Sequence, residues 1–429
     1  MVLSDKKLYT MDEWSTANIE GVTLTAEDDK SIMLLERNGR ITIKPYSAGV
    51  IVETGPYVGA VSLNNFDLLV RPKFENDRHF FKLIGYAFEL DDFLLLEEYV
   101  DLSFARGWFT DVLVACLVKE MNKIILQGLL KRYQEKQENL LTPHGKIDFT
   151  RLAGNYARGS VSVPCRYEDL SFDVIENRIL LATLSMVRPW ISSPTLFARV
   201  QYLEQMLSEG VFKEKRIDYL LVELEKKEDR QGLYYRRALE LCKMIFRSIV
   251  FTFQGEESSY QPAFLINMNE LFERFIARLL VECAPPGYRI YYQSGMGGYF
   301  SRAESRSTVL KPDYQIFLED HRIFLADAKY KLYDQRKVDP ADLYQLAVYQ
   351  MVGEVENAMI YYPSRGEKNS NSYELRRPDG SYLLHTQVIG IPLETFLEHI
   401  NERGTINKAS QDFIWEQLTS IPMVVGKVN

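Results

Sequence analysis

The stretch Lys311-Pro312-Asp313-Tyr314-Gln315-Ile316-Phe317, followed by Glu319-Asp320-His321-Arg322 and then Ile323-Phe324-Leu325-Ala326-Asp327-Ala328-Lys329-Tyr330, decides how this chain is read. Two apolar runs flank a polar turn, and each is long enough for a strand, which predicts a β-hairpin. Side chains two apart on a strand share a face, so Asp327 and Lys329 point one way while Ala326 and Ala328 point the other. A carboxylate and an ammonium therefore converge. Mg²⁺ takes hard oxygen ligands, keeps several waters and is usually held by one or two carboxylates, a demand that Asp313 and Asp327 meet. For metal-assisted hydrolysis of a phosphodiester, Lys329 is placed to orient or deprotonate the attacking water and to offset charge on the phosphate, with the Ala328 carbonyl as a further metal ligand. A hairpin with an exposed Asp–Lys pair of little energetic weight has the same residues, so the surroundings must decide.

Downstream, Asp342-Leu343-Tyr344-Gln345-Leu346-Ala347-Val348-Tyr349-Gln350 has helical apolar spacing, and Gln345 and Tyr349 fall at i and i+4 on one face. Upstream, residues 269–280 read as an amphipathic helix with Leu271, Phe272, Phe275, Ile276 and Leu279 apolar, and Glu273 lies beside that stripe, in position to face the metal. A helix with Glu273, a strand with Pro312-Asp313, a strand with Asp327-x-Lys329 and a helix with Gln345-x-x-x-Tyr349 follow one another. That order resembles the PD-(D/E)xK nuclease superfamily, in the branch with a Gln-x-x-x-Tyr motif that includes RecB-like nucleases.

Further landmarks narrow the resemblance. Residues 141–149 (Leu-Thr-Pro-His-Gly-Lys-Ile-Asp-Phe), 172–180 around Glu176-Asn177-Arg178, and 264–273 are similar to successive motifs of the McrC family, the nuclease subunits of McrBC-type modification-dependent restriction systems. Arg71-Pro72-Lys73-Phe74, with Phe81 to Phe88 after it, is similar to that family's junction between its N-terminal and helical parts. The resemblance implies a Mg²⁺-dependent DNA endonuclease subunit. Its implied partner is a hexameric AAA+ GTPase of the McrB type, which recognises and translocates modified double-stranded DNA and is stimulated by the McrC N-terminal domain. Asp313, Asp327, Lys329, Gln345, Tyr349 and Glu273 are then the catalytic residues, and Asp313, Asp327 and Ala328 the metal ligands. Asn177-Arg178 suggests no chemistry and reads as a buried pair bonding backbone groups. A stand-alone RecB-like repair nuclease and a non-catalytic adaptor that activates a ring NTPase are the alternatives. The intact Asp313, Asp327 and Lys329 set argues against the adaptor, and the acidic charge and large non-nuclease portion argue against the stand-alone enzyme.

Composition agrees with this class without pointing to it. With 429 residues, 46% hydrophobic and 26% charged, the chain is long enough for two or three domains of an ordinary soluble protein. Cys116, Cys165, Cys242 and Cys283 lack paired spacing, so reduced core thiols in a cytoplasmic protein are expected. The N-terminus has no signal-like apolar stretch, and no later run is long enough to cross a bilayer. No Gly-rich loop ends in Gly-Lys-Ser/Thr, so nucleotide hydrolysis is left to a partner. The five histidines are isolated, which argues against a His-metal nuclease. Net charge is −8, the wrong sign for finding DNA unaided. Lys329, Lys331, Arg336 and Lys337 against Asp334, with Arg302, Arg306 and Lys311, nevertheless form a basic rim, as suits a nuclease to which DNA is delivered.

The expected fold class is a multidomain α+β or α/β chain: a small β-rich N-terminal domain over residues 1–75, a helical middle domain over 76–258, and a PD-(D/E)xK nuclease domain over 259–429 whose mixed central sheet is flanked by helices. In the first region Ile32-Met33-Leu34-Leu35 and Ile41-Thr42-Ile43 around Asn38-Gly39 read as a hairpin, an exposed candidate for contacting the partner. The middle reads as helices over 80–90, 104–130, 176–191, 196–207, 217–224 and 233–253, with one short strand near 145–149. The last sheet is expected to include residues 290–292, the two hairpin strands, 358–362 and 387–391.

Overall fold

The computed structural model describes residues 6–74, 77–89, 108–224, 230–254, 258–297, 299–302, 305–331, 333, 337–364, 369–401 and 403–419. It is a mixed α/β chain with several sheets, divided into a unit of Tyr99–Ile249 and a larger unit that joins Leu3–Glu98 to Val250–Asn429. No helix among the described residues is long and apolar enough to cross a membrane.

In the larger unit, Lys7–Asp12, Phe66–Arg71, Tyr57–Ser62 and Ser258–Asn267 are successive neighbours in one sheet. Ala263 to Asn267 pair antiparallel with Val61 to Tyr57, so strands far apart in sequence share this sheet. The approach depends on Gly59, whose φ is +140° and whose position would put a Cβ 2.1 Å from the Phe264 carbonyl oxygen. A second sheet of Thr16–Glu20, Gly49–Thr54 and Ile41–Tyr46 packs with it around one core, including Ile32, Leu35, Ile43, Val52, Leu68 and Leu265.

The hairpin expected around Asn38-Gly39 is absent. Residues 32–35 belong to a helix, Ala26–Arg37, and only Ile41–Tyr46 is a strand there. Thr25 and Asp28 form a capping box at its start, with the Asp28 N–H donating to Thr25 Oγ1 at 3.2 Å and the Thr25 N–H to Asp28 Oδ2 at 2.8 Å. Ile32 and Leu35 are buried three apart while Met33 is 64% exposed, which is helical rather than alternating spacing. Asn38 and Gly39, the latter at φ +62°, end the helix instead of turning a hairpin.

The sheet that carries the hairpin has six strands, in the order Tyr288–Tyr292, Tyr314–Leu318, His321–Ala328, Asn357–Ser364, Tyr382–Pro392 and Ser370–Arg376. The expected strands are all present. The third, fourth and fifth run parallel, and the outer ones antiparallel. Leu325, Ile360 and Val388 pack with Leu346 and Tyr349 of the helix Pro340–Gly353. From the other face, Tyr361 donates to the Leu418 carbonyl of Lys408–Thr419 at 3.0 Å, and Tyr314 donates to a carbonyl of Met268–Cys283.

The smaller unit has the expected helices Ile175–Val187, Pro194–Ser208 and Ile217–Leu224, and a helix Trp108–Gln127 within the predicted span; residues 104–107 lie outside the described residues. The span 233–253 is not one helix: Arg236–Ser248 is helical, and Ile249–Gln254 is a strand, as its β-branched and aromatic run favours. Arg132–Leu140, Val163–Ser171 and Lys146–Ile147 form a sheet of which only the shortest strand was expected. Its longer strands carry charged or polar residues on both faces, so no apolar alternation marks them. Asn177 is fully buried, donating to the carbonyls of Leu130 and Phe172 at 3.0 and 2.8 Å and accepting from Tyr235 at 2.7 Å. The Arg178 side chain, by contrast, forms a bidentate pair with the Asp173 carboxylate at 2.7 Å. All four cysteines are free and buried.

Candidate active site

The hairpin register brings the two aspartates together. Tyr314 pairs with Ala326 across the antiparallel strands, and one more step of that register sets Asp313 opposite Asp327. Asp313 Oδ2 accepts the Ala328 N–H at 2.8 Å, which fixes its carboxylate at the open end of the hairpin. Asp327 is 5% exposed, and its Oδ2 lies 2.5 Å from Lys329 Nζ. Lys329 stands one residue past the end of the strand, and its ion pair sets it on the side of Asp327 as expected.

The helix Pro340–Gly353 reaches the same ammonium. Lys329 Nζ donates to Gln345 Oε1 at 3.4 Å, Gln345 Nε2 donates to the Tyr349 hydroxyl at 3.0 Å, and Tyr349 donates to the Lys311 carbonyl at 3.5 Å. The i, i+4 pair thus holds Lys329 from one end and the Asp313 strand from the other. Glu273 arrives from the opposite helix, Met268–Cys283, where the Asn267 side chain caps the first turn by accepting the Asn269 N–H at 3.0 Å. The fully buried Tyr314 donates to the Glu273 carbonyl at 2.7 Å, and Gln293 Nε2 donates to Glu273 Oε2 at 3.0 Å. The Gln293 N–H also donates to the Asp313 carbonyl at 2.7 Å. Gln293 escaped the sequence reading because a lone Gln past a strand end carries no signal. Its left-handed φ of +46° becomes visible only in the fold.

Burial and mutual repulsion work against the charged forms of these carboxylates. Burial, then Asp327 and Glu273, push Asp313 far above the usual carboxylate range despite the Ala328 N–H. Burial and then the charges of Asp327 and Glu270 push Glu273 up to about 7, against Gln293 and Lys329. Burial disfavours the charged form of Lys329, but Asp327 and Asp313 outweigh it and hold the ammonium above its usual range. Among the described residues no three His, Cys, Asp or Glu side chains cluster closely enough to hold a metal alone. Asp313 and Asp327 offer two hard carboxylate oxygens side by side, the ligand type that Mg²⁺ takes.

The expected basic rim is only partly available. Lys331 is engaged by Asp342 at 2.7 Å and Asp339 at 3.8 Å, whereas Lys311 and Lys337 are exposed. Asp334 and Arg336, and the side chains of Arg302 and Arg306, lie outside the described residues. His321, read as a turn residue, is exposed at the start of its strand.

A family model described as McrBC 5-methylcytosine restriction system component matches residues 52–363. A chain of the Thermococcus gammatolerans assembly of McrB AAA+ hexamers with bound McrC is similar in structure, with a TM-score of 0.57 and 19% identity over 97% of this chain and 100% of that one. A chain of the Thermococcus gammatolerans McrBC complex matches at a TM-score of 0.45 and 17% identity, covering 65% of this chain and 88% of that one. No curated protein matches in sequence.

Proposed function

The chain belongs to the McrBC 5-methylcytosine restriction system component family, and from that premise we propose that it is the DNA-cutting subunit of such a system, with a PD-(D/E)xK nuclease fold in its last region. The observation that carries this reading is the meeting of Asp313, Asp327 and Lys329 at one hairpin end, with Gln345 and Tyr349 holding the lysine.

Asp313 and Asp327 would hold Mg²⁺, with the Ala328 carbonyl as a further candidate ligand; when bound, the ion supplies Lewis-acid stabilisation of charge on the phosphate. The chain's own residues do the rest. Lys329 stays protonated near neutral pH, which favours orienting water and offsetting phosphate charge over accepting a proton. Gln345 and Tyr349 keep its ammonium beside Asp327. Glu273, poised near 7, can take a proton at its carboxylate at neutral pH while Gln293 orients it. The balance of the reaction is simple: the oxygen of water forms a P–O bond, the P–O bond to a deoxyribose oxygen breaks, and a proton from water ends on that oxygen as a hydroxyl.

The partner in this reading is a hexameric McrB-like AAA+ GTPase, because a chain of similar fold comes from an assembly of McrB AAA+ hexamers with bound McrC. The substrate is double-stranded DNA carrying 5-methylcytosine, as the family description names. A net charge of −8 fits a nuclease that receives DNA from that partner. The test mixes the purified chain with the cognate GTPase, GTP, Mg²⁺ and 5-methylcytosine DNA. Cleavage is expected only when every component is present. Cutting at full rate without the GTPase would support a stand-alone repair nuclease, and stimulated GTP turnover without cutting would support an adaptor.

A further inference from the structure

Within the larger unit, a cavity of about 490 Å³ lies among the ends of strands from both parts of its sequence. Glu13, Trp14, Phe74, Tyr330, Ser364 and Glu394 are among its walls. Glu13 is 1% exposed, and its Oε1 accepts the Lys73 N–H at 3.0 Å and the Tyr330 hydroxyl at 2.8 Å. Its Oε2 is buried with no hydrogen-bond partner among the described residues, and the same holds for Trp14 Nε1 and for Oγ of Ser364, which is 9% exposed. Buried polar atoms are seldom left unpaired, because each costs the hydration it has lost. Three of them on the walls of one cavity mark a place built for a ligand. Trp14 is also held at φ +53°, a costly backbone for a bulky residue and one that persists at binding sites.

We infer that this cavity takes an arginine side chain presented by a protein partner. The lining carboxylates are Asp12, Glu13 and Glu394, against the ammonium groups of Lys73 and Lys331; Lys331 is engaged by Asp342 at 2.7 Å and Glu394 lies 3.6 Å from His79, which leaves Asp12 and Glu13 against Lys73. That balance repels phosphate and attracts a cation. A guanidinium brings five N–H donors, which suits the open Glu13 oxygen and the Ser364 hydroxyl, and it stacks well on aromatic rings such as Trp14 and Phe74. The Trp14 N–H needs an acceptor that a guanidinium lacks, and a peptide carbonyl beside the arginine supplies it. Burial pushes Glu13 up to about 7, against the Lys73 N–H, the Tyr330 hydroxyl and the charge of Lys73. The inference stands apart from the nuclease reading, since none of these groups belongs to the Asp313, Asp327 and Lys329 set.

The test is calorimetric titration of the full chain with N-acetyl-arginine amide. Saturable one-to-one binding is expected, weakened at least about tenfold with N-acetyl-citrulline amide, which keeps the shape but loses the charge, and equally by Glu13→Gln. Ser364→Ala should weaken it several-fold and serves if the Glu13 variant fails to fold. Butylguanidine, which lacks the carbonyl, should bind several-fold more weakly than the amide. A cavity that holds water only would show no saturable heat and would overturn the inference. Equal binding of the citrulline analogue, or unchanged affinity in both variants, would overturn it too, and butylguanidine binding as tightly as the amide would remove the peptide carbonyl and with it the protein partner.

Discussion

Lys329 is held between Asp327 Oδ2 at 2.5 Å and Gln345 Oε1 at 3.4 Å, a placement that separates its own role from that of its holder. Lys329→Ala should lower single-turnover DNA cleavage by about 10²–10³, the usual worth of one electrostatic or proton-handling group. Gln345→Ala should lower it by only about tenfold, since Asp327 still retains the ammonium. Equal losses in rapid-quench measurements would make Gln345 more than a positioning residue. Glu13 gives a pH effect of definite sign. Its carboxyl ionises about 7 in the fold against 4.5 as the ordinary value, so the folded chain binds the extra proton between those limits. The stability it confers is whole below about 4.5 and is lost as pH rises through about 7. Urea midpoints of wild type and Glu13→Gln should therefore diverge as pH rises from about 4.5 to about 7, wild type losing stability relative to the variant, and keep a fixed separation above that; a constant difference across the whole range from about pH 4.5 to 8 would refute this. Asp313, Asp327 and Lys329 were legible because strand alternation and hairpin register are local. Glu13 was not, because its partner Tyr330 lies 317 residues away.

Among elements, the helix Ala26–Arg37 shows where local reading fails. Four consecutive apolar residues ahead of Asn38-Gly39 look like half a hairpin, yet Thr25 and Asp28 begin a helix before them; Ile32 and Leu35 are buried in the core, Leu34 packs against it and Met33 is exposed. The capping pair was visible in the sequence, but its weight against the Asn-Gly signal became clear only from which side chains the core buried. The polar ribbon of Arg132–Leu140 and Val163–Ser171 was missed for a different reason: with both faces carrying polar side chains, nothing in its hydrophobic pattern separates it from loop. The six-stranded sheet was readable because its central strands are nearly continuous apolar runs bounded by turns. Gly59 tests the other sheet. At φ +140°, with a Cβ destined for 2.1 Å from the Phe264 carbonyl oxygen, Gly59→Ala should destabilise the chain by about 1–3 kcal/mol. Chemical denaturation checks it, and an unchanged midpoint would mean that the two strands part easily.

At the scale of the molecule, the residues before 75 and the strand that leads into the Glu273 helix share a sheet: Tyr57 to Val61 pair with Asn267 to Ala263, and Met268 begins the helix. A chain beginning after Lys73 would strip that strand of its neighbour Tyr57–Ser62, leaving Ile249–Gln254 beside it, and would uncover Leu265 of the shared core. Such a truncation is expected to melt at a lower temperature and to be cut by chymotrypsin at Tyr260 or Phe264, and equal protease resistance would show the two parts to be independent. Partner stimulation is therefore better probed by point substitutions than by deletion. The acidic body, with a net charge of −8, and the buried pair Asp313 and Asp327 divide the work proposed for the chain: the partner finds the DNA, and the hairpin end cuts it. The most direct measurement is single-turnover cleavage of 5-methylcytosine DNA by Asp327→Asn in the presence of Mg²⁺, GTP and the cognate GTPase. That variant removes one negative charge while keeping side-chain shape, and the account predicts a loss of about a thousandfold or more with GTP turnover unchanged. Cleavage at the wild-type rate would contradict it.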